Sequence, residues 1–449
     1  MKIGLEVHVQ LPTKSKLFCS CPMGSENGPN GSICPVCLGF PGSKPSLNRK
    51  ALEMGILIAK FMGCTITDRI WFSRKTYFYP DLPKNFQTTQ YESPVGTDGV
   101  FVVSGKDIHI NRVHIEEDPG RIKRVGKAGS ELALIDYDRS GIPLVEIVTA
   151  PDMSSPAEAR EFLTSLMTEL RQLIGVSGQE QTMRVDANIS VGVERVEIKN
   201  ITGVKNVERG LKFEVIRQTK MLAAKKKIVR ETRHFDEERG VTTPGREKEF
   251  EEDYGYIGEP DLGTYTITEM AAALKVPETP LTRAKRFEKE YGMQFSTAKQ
   301  LVATSWELAD IFEELVAKIG AEKTASWCLG ALSSRWKGLQ EKMSDDLHET
   351  LLQIVIEAAE GRITDSDAKL RIEALSKGEE ISAAEDVDVD VNALIAQIAD
   401  EHPEVAEDYK TNPKAANFII GRVMKETKGK FSSQEIAEKV KKELESRLR

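Results

Sequence analysis

Long hydrophobic runs are missing from this 449-residue chain: nowhere do about 18 apolar residues follow one another, the length a bilayer-spanning helix needs. It opens on the strand-like stretch Lys2-Ile-Gly-Leu-Glu-Val-His-Val-Gln10, without the charged and apolar regions of a secretory leader, so a cytoplasmic protein with no membrane partner is expected. There is neither a Gly-x-x-x-x-Gly-Lys-Ser/Thr loop nor a Gly-x-Gly-x-x-Gly opening a helix, which excludes the two common nucleotide-binding folds. Positive charge is short as well. With 62 Lys and Arg against 70 Asp and Glu the net charge is -8, so any nucleic-acid contact should be local rather than a broad basic surface. Six cysteines are too few for a disulfide framework in so long a chain and suit a reducing compartment.

Four of those cysteines are crowded together. Cys19-x-Cys21 and Cys34-x-x-Cys37 form two close pairs joined by a Gly/Asn-rich loop, the spacing of a tetrahedral structural zinc. Four sulfur ligands leave no open position, so the metal expected here holds the loop and performs no chemistry. Cys64 and Cys328 read as buried structural thiols.

The length exceeds what one hydrophobic core supports, and 40% apolar residues supply several. Residues 1–265 alternate with period two between Gly, Pro and Asn-Gly turns, a β-rich cradle of mostly antiparallel sheet with flanking helices at Ser46–Met62, Ser155–Ile174 and Asn206–Ala224. From 266 to 343 the period becomes helical, with Thr279, Ser296 and Ser305 as candidate N-caps. Residues 344–449 are again helical but electrostatically split: Glu379–Asp408 holds 11 acids and no Lys or Arg, whereas Lys414–Lys430 holds five basic residues and one acid. The fold class is therefore α+β, a cradle followed by a helical domain and a helical tail.

Acids recur where apolar alternation predicts half-buried strands: Glu6, Glu116, Glu117, Glu146, Asp186 and Glu197. A single buried carboxylate is costly, so this many predict a compensating cation, and oxygen ligands suit Mg²⁺ bridging to phosphates. Glu6 and His8, two apart, project from one strand face and can offer two ligands to one ion, although that spacing also fits a solvated face. The aromatic and proline-rich stretch Arg74–Lys84 predicts a rigid non-helical loop that aims Lys75, Tyr79, Asp81 and Lys84. Lys199 and Asn200 supply an ammonium and an amide beside Glu197. In the tail, Lys414, Arg422, Lys425, Lys428 and Lys430 gather at a helix end, where they suit either phosphates or a solvated face.

Quoted together, Ile3-Gly-Leu-Glu-Val-His-Val-Gln-Leu11, Cys34-Pro-Val-Cys-Leu-Gly-Phe-Pro-Gly42, Lys75-Thr-Tyr-Phe-Tyr-Pro-Asp-Leu-Pro-Lys84, Asp186-Ala-Asn-Ile-Ser190 and Gly421-Arg-Val-Met-Lys425 resemble the B-type family of tRNA-dependent amidotransferase subunits, the GatB/GatE family, along essentially the whole chain. The resemblance implies a kinase pocket lined by Glu6, His8, Glu116 or Glu117, Glu146, Asp186 and Glu197, with Lys75, Tyr79 and Lys199 as catalytic neighbours. It implies ATP and Mg²⁺ as reactants, a structural Zn²⁺, and phosphorylation then amidation of the side-chain carboxylate carried by Asp-tRNA(Asn) or Glu-tRNA(Gln). It further implies a YqeY-like tail on the tRNA elbow, and two partners in a heterotrimer, the amidase (GatA-type) and a small GatC-type protein. The sequence has no Gly-x-Ser-x-Gly or Ser/Lys amidase constellation, so ammonia is expected from that other chain. Two departures stand out: Gly255 where bacterial-type members carry Arg, which looks archaeal, and Gly258 where Pro is usual, which predicts a loosened loop at the pocket rim. The absence of a large insertion before the helical domain favours the B type over an E type specific for Glu-tRNA(Gln). A non-catalytic, zinc-stabilised tRNA-binding scaffold and a free-standing amino-acid kinase are the other readings of the same residues.

Overall fold

The computed structural model describes residues 1–24, 28–126, 132–176, 183–245, 255–379, 390–410, 412–426 and 433–447. Alternation in Lys2–Gln10 (β1) divides it cleanly: Ile3, Leu5, Val7 and Val9 are at most 1% exposed, while Glu6, His8 and Gln10 take the other face. β1 becomes the middle of a nine-stranded sheet. The others are Thr65–Ile66 (β2), Gly96–Val103 (β3), Lys106–Glu117 (β4), Pro143–Thr149 (β5), Met183–Ser190 (β6), Val196–Thr202 (β7), Glu231–Asp236 (β8) and Val241–Pro244 (β9). Their order is β9-β8-β7-β6-β1-β5-β4-β3-β2. All neighbours are antiparallel except β7 and β8, in keeping with the mostly antiparallel expectation.

Three helices cover the apolar face. Arg49–Phe61 (α1) starts three residues later than the apolar spacing predicts, because the Asn48 side chain accepts from the Lys50 and Ala51 amides and fixes the first turn there. Pro156–Ile174 (α2) starts and stops as expected: Ser155 Oγ accepts from Glu158 N at 3.1 Å, and Gly175 closes the end at φ 72°. Val204–Ala223 (α3) completes the layer. A Cβ on Gly55 of α1 would lie 2.6 Å from Ile115 Cδ1, so the helix rests directly on β4.

A smaller sheet orders Gly255–Gly258, Ser73–Thr76 and Phe86–Thr89 side by side. Lys75 is therefore on a strand rather than in the predicted loop, and Gly258, paired with Ser73, is held in a ladder rather than loosened. Asp253, two residues before Gly255, lies outside the described residues.

The first compact unit runs to Thr279, not to 265. Tyr265–Thr266 pairs with Arg69–Ile70, and Lys60 Nζ donates to Ala271 O and Leu274 O at 2.7 and 2.6 Å, tying the following short helix back to α1. The unit Pro280–Arg449 holds two separate cores. One gathers Phe287, Leu301, Phe312, Leu332, Leu351, Val355 and Ile372, so the helices Asp345–Ala359 and Asp365–Lys377 pack with the preceding ones and the expected division at 343/344 falls inside a core. The other joins Ile395, Ile398, Ile419, Val423, Ile436 and Val440. Ser296 is not a cap: it lies within Phe295–Thr304, two residues after the Gln294 cap position. Ser305 does precede Trp306–Ile319, but its hydroxyl binds Glu307 instead of a backbone amide.

Candidate active site

The polar face of the sheet collects the acids because the register brings them level. His8 pairs with Glu146, and Glu146 in turn with His114, while Glu116 sits opposite Leu144 one pleat away. His8 Nε2 lies 3.4 Å from Glu146 Oε2 and 3.6 Å from Glu116 Oε1; His114 Nε2 lies 2.8 Å from Glu146 Oε2. Thr89 Oγ1 donates to Glu116 at 3.1 Å, linking the smaller sheet to this cluster.

One strand further, Glu6 pairs with Asp186 across β1 and β6. The β6–β7 register slips between Val185 and Ala187, and Asn200, at φ 57°, turns its amide to donate to Asp186 Oδ1 at 2.7 Å. Lys199 Nζ is 3.8 Å from both Asp186 and Glu197, and Asn188 Nδ2 donates to Glu6 at 3.0 Å.

Charge is unevenly shared across this face. Burial opposes a charge on His8, but Glu146, Glu116 and Asp186 outweigh it and raise the imidazole to about 10; His114 is likewise raised to about 9 against burial by Glu146 and Glu116. Burial would raise Glu146, yet the two imidazoles hold it well below the usual carboxylate range. Glu6 goes the other way: burial first, then Glu146, Asp186 and Glu197, push it up. The oxygens of Glu6, Asp186 and Glu197 all lie within 4.8 Å of one another, as do the donor atoms of His8, Glu116 and Glu146, and both sets fit a divalent cation, the all-oxygen set a hard one.

The two predicted acids on β4 part company, since neighbours on a strand point to opposite faces. Glu116 joins His8 and Glu146; Glu117 pairs with Lys84 on the other side and accepts from Thr88 N at 2.7 Å. Glu117 and Lys84 line a cavity of about 230 Å³ with Arg74, Glu259, Lys16 and Cys37. Lys75, with its ammonium 6.0 Å from the Tyr77 ring, is on the smaller sheet, and Tyr79, 46% exposed, is in the loop after it. Asp81 binds through its carbonyl, which accepts from Gly120 N.

The thiols of Cys19, Cys21, Cys34 and Cys37 come within 4.8 Å of one another, fitting a tetrahedral zinc. A hydrogen bond from Cys19 pulls Cys37 down to about 5, and the fully buried Lys16 places its ammonium 3.8 Å from that sulfur. Of the predicted tail residues, Lys414 is exposed, and Arg422 sits 3.9 Å from Glu401 and beside the His402–Phe418 pair. Lys425 is on Ala416–Glu426, its side chain outside the described residues, as are Lys428 and Lys430 altogether.

His114 and Asp118 bound the acid-bearing stretch His114-Ile-Glu-Glu-Asp118, yet neither is among the residues the sequence nominates individually for the site. His114-x-Glu116 has the same period-two spacing as Glu6-x-His8, which is the signal that marks it. Asp118, fully buried, accepts from Gln10, Arg139 and Arg184; no local pattern foretells a partner 66 residues away.

A central-strand β cradle with an acid-lined face, followed by helical units, defines a class of protein, and the family models agree: the GatB/GatE catalytic domain matches residues 1–273 and the GatB domain matches residues 310–444. The chain belongs to the B-type subunits of the aspartyl/glutamyl-tRNA(Asn/Gln) amidotransferases, components of glutamine-dependent ligases. It is 41% identical over 454 residues to the B-type aspartyl/glutamyl-tRNA(Asn/Gln) amidotransferase chain of Methanospirillum hungatei, covering 95% of each chain. It is also 42% identical to that of Sulfolobus acidocaldarius, covering 99% of each, and 40% identical to that of Methanocaldococcus jannaschii, covering 99% of this chain and 98% of the relative. Among the described residues, no helix is long and apolar enough to cross a membrane.

Proposed function

We propose that this chain carries the kinase and amidation steps that convert Asp-tRNA(Asn) to Asn-tRNA(Asn), Glu-tRNA(Gln) to Gln-tRNA(Gln), or both, in a heterotrimer with an amidase of the A type and a small protein of the C type. The convergence of two donor groups on one sheet face, His8 with Glu116 and Glu146 beside Glu6 with Asp186 and Glu197, carries this reading. A carboxylate is a poor acylating agent, so its oxygen must first take the γ-phosphoryl of ATP, releasing ADP; ammonia then attacks the carbonyl carbon and expels phosphate. Glu6, Asp186 and Glu197 would hold Mg²⁺, which would supply charge neutralisation on the transferring phosphoryl. Asn200 N and Lys199 keep Asp186 oriented, and the imidazolium of His8 keeps Glu146 and Glu116 ionised. The cavity lined by Lys84 and Glu117, behind Glu116, suits the arrival of ammonia, and the four cysteines suit a structural Zn²⁺.

The test uses the complex with both partners. Asp186→Asn should lower tRNA-dependent ATP cleavage and ammonium-fed amidation by roughly 10²-fold or more, a few kcal/mol of barrier, while glutamine hydrolysis by the partner and tRNA binding persist. Ammonium bypasses the glutaminase and so assigns the defect to this chain. A folded variant that amidates at the wild-type rate would make the acids structural and leave the scaffold reading.

A further inference from the structure

Between β4 and β5, the strands of Glu116 and Glu146, the chain makes a ribbon: Arg121–Val125 pairs with Leu132–Asp136, and among the described residues this pair joins no other sheet. Two strands alone are barely stable in water, and the root of this ribbon is correspondingly fastened. Asp118 accepts from Gln10 and Arg184 on the acid-bearing face and from Arg139 on the returning leg. Gly120 N donates to Asp81 O at 2.8 Å and Tyr137 OH to Pro80 O at 2.9 Å, which secures the loop after Lys75. From the cysteine loop, Asn30 at φ 60° imitates a neighbouring strand: its Nδ2 donates to Ile135 O at 3.1 Å and its Oδ1 accepts from Tyr137 N at 2.8 Å. Ser32 N adds a bond to Asp138 at 2.6 Å.

The outer part of the ribbon contrasts with this root. Leu132 and Leu134 are 66% and 53% exposed, and the register sets them on the same face as Arg121 and Lys123, both cationic, with Lys123 directly opposite Leu134. The carboxylate on that face, Asp136, stands directly opposite Arg121 and also accepts from Asn30 N at the root, whereas Lys123, opposite Leu134, faces no acid across the ribbon. In a chain of net charge -8, a firmly rooted ribbon bearing cations and bare leucines, four residues along the chain from Glu117, is matched to an anionic partner with apolar faces.

We infer that this ribbon is a docking arm for the unpaired end of the RNA: Arg121 and Lys123 meet phosphates while Leu132 and Leu134 pack against bases, placing the esterified amino acid at the acid-bearing face. This rests on the function proposed above. Asn30 is a positioning residue that holds the arm from the cysteine loop.

The test compares wild type with Arg121→Gln/Lys123→Gln and Leu132→Ser/Leu134→Ser in the heterotrimer. Asp-tRNA(Asn) and Glu-tRNA(Gln) binding is titrated over a range of KCl, alongside amidation kinetics. The charge variant should bind several-fold more weakly, with the slope of log affinity against log salt shallower by about 1 to 2, since each phosphate contact contributes roughly 0.7–0.9. The leucine variant should raise KM with an unchanged salt slope. Both should keep kcat near wild type, and Asn30→Ala should raise KM while speeding amide exchange in Arg121–Val125. Wild-type affinity and slope in both double variants would overturn the arm alone. Loss of a partner protein with RNA affinity intact would overturn it in favour of a protein interface. A wild-type complex that binds neither charged tRNA would overturn the functional reading and the arm with it.

Discussion

Asp186 owes its place to a backbone irregularity no larger than one residue. Asn200 must hold φ 57° to aim its amide at Asp186 Oδ1, and Asn tolerates that left-handed conformation better than other side chains do. Asn200→Ala should cost about 1 kcal/mol in denaturant unfolding and lower the kinase rate, whereas Asn200→Gly should keep both near wild type; equal losses in both would assign the effect to the amide side chain instead. Glu116 and Glu117 make a second contrast. Glu116→Gln should cut ATP cleavage by roughly 10²-fold, while Glu117→Gln, acting on the cavity with Lys84, should spare ATP cleavage and reduce glutamine-fed amidation; parallel assays of the two separate the roles. The sequence presents the two as equivalent acids, and only the strand's phase tells them apart.

At the level of elements, the local cap Asn48 fixes α1 three residues past the expected start, while other helix starts were legible where a local side chain stops the fraying. Ser155 with Pro156 is such a case, and Glu158 strengthens it: Lys106 Nζ binds its carboxylate at 2.6 Å, and Ser154 donates through its hydroxyl at 2.6 Å and its amide at 3.0 Å. The Lys106 and Ser154 bonds pull Glu158 down to about 2. A depressed folded value means the stabilisation is present above the unfolded pKa near 4.5 and is lost as pH falls through 2. Glu158→Gln should therefore lower the melting temperature at pH 7, with the difference from wild type closing between about pH 4.5 and 2; a constant difference across that window would point to packing rather than charge. Ser296 lies inside Phe295–Thr304 and caps nothing, whereas Ser305 does hold the cap position of Trp306–Ile319 but turns its hydroxyl to Glu307 instead of a backbone amide.

For the whole molecule, the position of the cores decides where the chain can be cut. Truncation after Met343 would strip Leu351, Val355 and Ile372 from the helical core, each worth roughly 2–5 kcal/mol against a domain stability of about 5–15 kcal/mol, so that product should unfold or aggregate. Truncation after Gly378 leaves that core whole. It should yield a protein with cooperative unfolding whose complex binds tRNA more weakly and with a shallower salt dependence, because Lys414, Arg422 and Lys425 are gone, while amidation at saturating tRNA partly survives. Titration of both truncations against salt, with melting curves for each, checks the two halves of this expectation. Unchanged affinity and slope after Gly378 would return the tail cations to a solvated face.

The alternating acids, the paired cysteines and the switch from period two to a helical period are local properties, written in residue type and spacing, and from them follow the α+β class, the polar strand face and the candidate ligands. Which acids meet is not local. Glu6 joins Asp186 and Glu197, and His8 joins Glu116 and Glu146, through strand order and register set by burial of the opposite face under α1, α2 and α3. The bulge at Asp186, the removal of Glu117 to another cavity, the ribbon rooted on Asp118 and Asn30, and the core that runs past residue 343 all depend on contacts between distant segments. Their energies belong to pairs of elements, which no single stretch of sequence contains.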